Sequence, residues 1–133
     1  MNSKTFKNLL NSYKDILNSI SLLNDELDVL WYEATGVKGV RYDKTHISTP
    51  STIVDDKRLR LLELINEKEA ERDMYLAIVK VIENKLAKLP KEDKDIVMRI
   101  LVENVTNEKV GREVGYTKSG IWYKVAQDIK KIL

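Results

Sequence analysis

The chain has 133 residues, of which 43% are hydrophobic and 33% charged, and its formal net charge is +2 with no cysteine. That balance is of an ordinary globular chain rather than a disordered one, with room for one small domain or for a helical arm plus a minimal domain. The lack of cysteine excludes a disulfide framework and thiolate metal sites. No apolar run approaches the roughly 18 residues of a membrane span or the pattern of a secretory signal, so a cytoplasmic setting is expected.

The first third carries a heptad series. Phe6, Tyr13, Ile20, Leu27 and Ala34 recur every seven residues, and Leu9, Ile16, Leu23 and Leu30 follow three after each of the first four. This a/d pattern predicts a long helix with an apolar seam, and the same residues are the candidates for oligomerisation into a homodimer or higher homo-oligomer. Leu10, Leu17 and Trp31 widen the stripe beyond what a two-stranded coil needs, which favours a hairpin or small bundle. Gly36 and Gly39 end that helix, and the turn-rich segment to about residue 52, with Ser48, Thr49, Pro50, Ser51 and Thr52, reads as a long connection. Arg41, Tyr42, Asp43 and Lys44 in it are either a solvated loop or a contact for DNA or polymerase. His46, the lone histidine, has no cluster around it.

A second helix is predicted from about Ile53 to Lys88, with Asp55 and Asp56 favourably placed near its start. Its apolar positions fall into two groups, Leu59 to Ile65 and Tyr75 to Leu89, separated by the polar stretch Asn66 to Asp73 in which Ala70 alone is apolar. The expected fold is therefore all-α: a long, coiled-coil-like helical hairpin over 1–88, with its loop at about 36–52, followed by a small helix-turn-helix domain over 89–133.

Steric requirements at fixed spacing carry the last part of that reading. Two short helices crossing steeply need a small residue at the crossing and a turn residue that tolerates positive φ, and Gly111 and Gly115 sit four apart to meet those needs. Thr106 and Thr117 are placed to cap the two helices, with Val110 and Val114 facing inward. Ile121, Val125, Ile129 and Ile132 then form one buried stripe on a helix able to run to Leu133. Val110, Gly111, Val114, Gly115, Ile121 and Val125 are thus the structural positions of the expected helix-turn-helix.

These residues resemble a known pattern. Leu89-Pro90 through Val97 looks like the opening of region 4 of bacterial sigma factors, Val102 to Gly111 resembles its first helix, and Gly115 to Ile121 its turn and recognition helix. Asn104 stands where that pattern usually has Gly, and Gly120 where it usually has Ser or Thr. The layout of the chain is similar to small phage and prophage proteins of Gram-positive bacteria, including the RinA and ArpU families of late-gene transcription regulators. The stretch from Ala34 to Asp43 looks like a related group of uncharacterised phage proteins. The resemblance implies a DNA-binding regulator that activates late genes; repression gives the same sequence signature. It also allows a sigma-like adaptor on RNA polymerase, or a helical interaction module whose helix-turn-helix no longer binds DNA.

If Ile121 and Val125 face the core, Lys118, Ser119 and Trp122 or Tyr123 lie toward the groove, since the first residues of such a helix ordinarily meet base edges. Trp122 is equally placed to close the edge of the core or an interface. Lys124 occupies the position where sigma-like recognition helices commonly carry a basic residue. Thr117 and Lys109 suit backbone phosphates, and Lys131, with Lys130, adds charge without sequence information. Divided after Lys88, the chain carries 14 basic and 14 acidic residues in the first part and 9 and 7 in the second, the two parts together making the 23 and 21 of the whole. So modest an excess predicts weak nonspecific binding. No phosphate-cradling loop, metal-ligand spacing or activated nucleophile is visible, so no catalytic residue, metal or cofactor is expected.

Overall fold

The computed structural model describes residues 1–36 and 52–133, and the segment containing Arg41 to Lys44 and His46 lies outside the described residues. Among the described residues the chain is all-α. In order come α1 (Ser3–Asn11), α2 (Tyr13–Thr35), α3 (Thr52–Leu86), α4 (Lys91–Val97), a π-helical turn (Met98–Val102), α5 (Asn107–Val114) and α6 (Lys118–Ile132). No described helix is long and apolar enough to cross a membrane.

These residues gather into two compact units, one of 1–17 with 77–133 and the other of 18–76. The first 17 residues and the end of α3 group with the C-terminal helices, whereas the reading from the sequence placed the division after Lys88. A segment of 45 residues is small enough that added apolar surface from α1 and α3 helps it exclude water from a core.

In the first unit, Asn2 caps α1 by accepting a hydrogen bond from the Thr5 N–H at 2.8 Å. Phe6 and Leu10 of that helix are completely buried, and α1 lies against the π-helical turn and α6. Ser12 interrupts the predicted first helix, its N–H reaching back to the carbonyls of Asn8 and Leu9, and the chain resumes as α2 with Ile16 N–H on the Ser12 carbonyl at 2.9 Å. The Tyr13 hydroxyl donates to Glu83 Oε2 at 3.0 Å. Burial, followed by the Glu83 carboxylate, holds the Tyr13 phenol above its usual range. Ile82, Leu86, Leu89, Ile96, Val97 and Val102 complete this core with the inward face of α6.

The second unit is thinner. Leu27 and Ala34 of α2 pack with Ile65 of α3, flanked by the half-buried Leu30, Leu61 and Leu62. The polar stretch of α3 contributes here through its long side chains, with Lys68 pairing Glu26 at 2.8 Å. Lys68 and Arg72 keep only about 30% and 27% of their side chains accessible, so their methylene stems cover surface that no apolar residue supplies. At the end of α2 the Thr35 hydroxyl donates to the Trp31 carbonyl at 2.7 Å, and Gly36 takes φ +60°, the left-handed stop that its glycine allows.

The heptad residues contribute to packing within the chain: Phe6, Tyr13, Ile16, Ile20, Leu23 and Leu27 are buried, and Leu9 and Leu30 half-buried. Leu17 and Trp31, which widened the stripe, remain exposed.

Candidate nucleic-acid interface

The C-terminal helices are positioned by a succession of local constraints. Asn104 adopts φ +57°, a left-handed conformation that asparagine tolerates better than other non-glycine residues, and the Val105 N–H then donates to the Arg99 carbonyl at 2.8 Å. Thr106 follows as the N-cap of α5, its hydroxyl oxygen accepting from the Lys109 N–H at 3.2 Å.

Gly111 is required by close approach. A Cβ there would lie 2.6 Å from the Tyr116 carbonyl oxygen and 3.3 Å from both the Thr117 carbonyl oxygen and Ile121 Cγ1. Gly115 is required by conformation instead, since nothing surrounds its missing side chain but its φ is +84°. The Tyr116 N–H closes the turn on the Gly111 carbonyl at 2.8 Å. Thr117 then caps α6, accepting from the Gly120 N–H at 3.0 Å. Gly120 therefore sits in the first turn of α6, where a Cβ would be 3.0 Å from the capping Thr117 oxygen. In that place glycine leaves room for the cap and does not interrupt the helix interior.

Val110 and Gly111 on α5 and Ile121, Val125, Ile129 and Ile132 on α6 are buried. Val114 is not: it is 42% exposed, correcting the expectation that it faces inward. α5 has only eight residues, so a single turn around Val110 meets α6, and Val114 at its end borders an open cleft.

Lys124, expected on the DNA-facing side, makes contacts within the chain. Its ammonium binds the Asp93 carboxylate at 2.8 Å, stands 3.8 Å from Asp128 Oδ2, and lies over the Tyr116 ring at 5.9 Å from the centroid. The side chain is 24% accessible. A cation held by two carboxylates and beside a ring ties α6 to α4. The hydrogen bond to Asp93 is the main reason its pKa is raised. Asp128 is buried, and Oδ2 has no hydrogen-bond partner. Burial pushes its carboxyl above the ordinary carboxylate range, against the opposing pull of Lys124. Neither carboxylate was singled out from the sequence. The four-residue spacing of Lys124 and Asp128 was legible as a helical pair, whereas Asp93 lies 31 residues before Lys124 and carries no such signal.

What remains open is the other flank of α6. Lys118, Ser119, Trp122, Tyr123, Gln127, Lys130 and Lys131 are exposed, as are Thr117 and Lys109. Trp122 and Tyr123 are each 61% exposed, which removes the reading of Trp122 as a residue closing the core. Within α6 itself the lone carboxylate is Asp128, already buried beside Lys124. On α5, Glu108 pairs with Arg112 at 3.3 Å and Glu113 pairs with Arg99. The acidic groups Glu92, Asp93, Asp95 and Glu103 line a cleft of about 520 Å³ together with Arg99 and Lys124. Positive charge on the exposed flank of α6 and negative charge in this cleft are thus kept on different surfaces. Among the described residues no group of acidic or histidine side chains is arranged to hold a metal ion.

Comparison with protein-family models, with curated proteins and with solved structures finds no match to this chain.

Proposed function

We propose that this chain is a DNA-binding transcriptional regulator in which α5, the Gly115 turn and α6 form a helix-turn-helix, with α6 as the recognition helix in the major groove. The observation that carries the reading is the contact at Gly111. A backbone approach that leaves no room for a Cβ, followed four residues later by a left-handed glycine, sets two capped helices at a crossing that presents one flank of the second to solvent. That flank carries uncompensated lysines and hydroxyls, the donors that phosphates and base acceptors take. The long helices α2 and α3 are read as an antiparallel hairpin. Its support is the pairing of Tyr13 with Glu83 and of Glu26 with Lys68, in which the partner's number falls as the first rises. The resemblance to phage late-gene regulators makes activation at a promoter the favoured outcome of binding.

The test is fluorescence anisotropy of the full chain on duplex fragments tiled across the DNA flanking its own gene, at two salt concentrations. One fragment bound well above the rest, with binding lost in a Lys118→Ala, Tyr123→Ala double variant that keeps its helical circular dichroism, is the expected result. Equal weak binding to every fragment, unaffected by the double variant, overturns it and turns the search to RNA polymerase.

A further inference from the structure

We propose that Trp122 and Tyr123 read the 5-methyl groups of thymine, so that the duplex site of this protein is defined by thymines facing the second turn of α6. The inference deepens the DNA-binding reading and rests on it.

The two rings are adjacent on α6 and each is 61% exposed, which leaves most of two large apolar surfaces in water. Their surroundings on that helix restrict what they recognise. From Lys118 to Lys124 the side chains are a lysine, a serine, a glycine, the buried Ile121, the two aromatics and the engaged Lys124. None is a carboxamide or carboxylate, so this turn has no means of making the paired Asn or Gln contact to adenine or the Asp or Glu contact to the cytosine amino group. Its polar groups are mainly donors, which match single acceptors such as guanine N7 and O6, adenine N7 or thymine O4. Its apolar groups have one counterpart in the major groove, the thymine methyl.

Charge decides between DNA and a second copy of the chain as occupant. Lys118 adjoins the aromatic pair and Lys130 lies further along α6, all exposed. Bringing two such surfaces together sets lysine against lysine, whereas the phosphate-lined groove neutralises them.

The experiment begins with selection of duplexes from a random 20-base-pair library by the full chain. The best sequence is then resynthesised with deoxyuridine replacing thymidine at one position at a time, which removes the methyl and leaves the base-pairing unchanged. Binding is expected to weaken about threefold to tenfold at one or two positions, the size expected for one buried methyl and its contacts. Trp122→Ala or Tyr123→Ala should bind the thymidine and deoxyuridine duplexes equally at those positions, while Tyr123→Phe keeps the discrimination because the ring is retained. Equal affinity of the wild-type chain for thymidine and deoxyuridine at every position overturns the inference and leaves DNA binding standing. Failure to enrich any duplex overturns both. If in that case sedimentation shows a dimer that Trp122→Ala converts to monomer, the aromatic pair is a self-association surface.

Discussion

The two compact units differ in how they exclude water. Among the described residues, eight of the nine large side chains that are essentially inaccessible (Phe6, Leu10, Ile82, Leu86, Val97, Val110, Ile121 and Ile129) belong to the unit of 1–17 and 77–133, and Ile65 alone to the unit of 18–76. The first is a core assembled from segments distant in sequence. The second is a seam between two long helices that relies on the stems of charged residues where apolar ones run out. The proposed recognition surface lies on the better-packed unit.

The comparison is broken most severely by separating the segments of the first unit. A peptide of residues 89–133 lacks Phe6, Leu10, Ile82 and Leu86, and its circular dichroism should show little cooperative unfolding. A stable, cooperatively melting 89–133 peptide would mean that α1 and the end of α3 are dispensable. In the full chain, Phe6→Ala should cost about 3–5 kcal/mol by urea unfolding; Ile65→Ala, at the lower end of about 2–5 kcal/mol, should loosen the thinner unit.

Substituting the two glycines separates steric from conformational demand. Gly111→Ala should destabilise by about 2–3 kcal/mol, because the new methyl meets a backbone oxygen that has no rotamer to yield. Gly115→Ala should cost about 1 kcal/mol, for its positive φ only. Equal effects would indicate that the contact at Gly111 relaxes.

Removing the tie at Lys124 should cost about 1–2 kcal/mol in Lys124→Met, since the pair is only partly shielded from water and Asp128 is left uncompensated. Adding Asp128→Asn should recover part of that loss in a double-mutant cycle. The effect on duplex binding should track stability alone, with no change in the slope of affinity against salt; a reduced slope would place Lys124 on a phosphate after all.

The smallest effect is a pH dependence. Asp128 has its folded pKa raised from an ordinary 3.8 by burial, so in the window just above that value the folded chain holds the proton more tightly than the unfolded chain. Its contribution to stability is greatest at low pH and declines as pH rises through the window. Asp128→Asn should therefore gain on the wild type as pH is raised from about 4 toward neutrality in thermal unfolding. Lys124, whose pKa is raised by Asp93, contributes stability below the ordinary lysine value and loses it as pH climbs past its own raised value, which sets the alkaline limit of the same tie.

Local geometry was legible wherever one residue type answers one backbone demand. Thr106, Thr117 and Gly115 stand where caps and a left-handed turn are needed, and Gly36 stops α2. The heptads identified the buried faces of α1 and α2. Val114 was misplaced because periodicity describes a helix as though its whole length were covered, and α5 is too short for that; the ion pair of Lys124 with Asp93 was not legible because it joins residues far apart in the chain.

The sequence by itself determined that this chain is helical, which faces of its first helices are apolar, and where the C-terminal turns fall, because these depend on side-chain spacing and on the φ limits of single residues. Only the tertiary structure decided that the heptad residues pack within the chain, that Phe6 and Leu10 complete the C-terminal core, and that Lys124 is tied to Asp93 and Asp128 while Trp122 and Tyr123 stay largely in solvent. Each of those outcomes depends on which segments share a core, and contacts between residues far apart in the chain have no period to read.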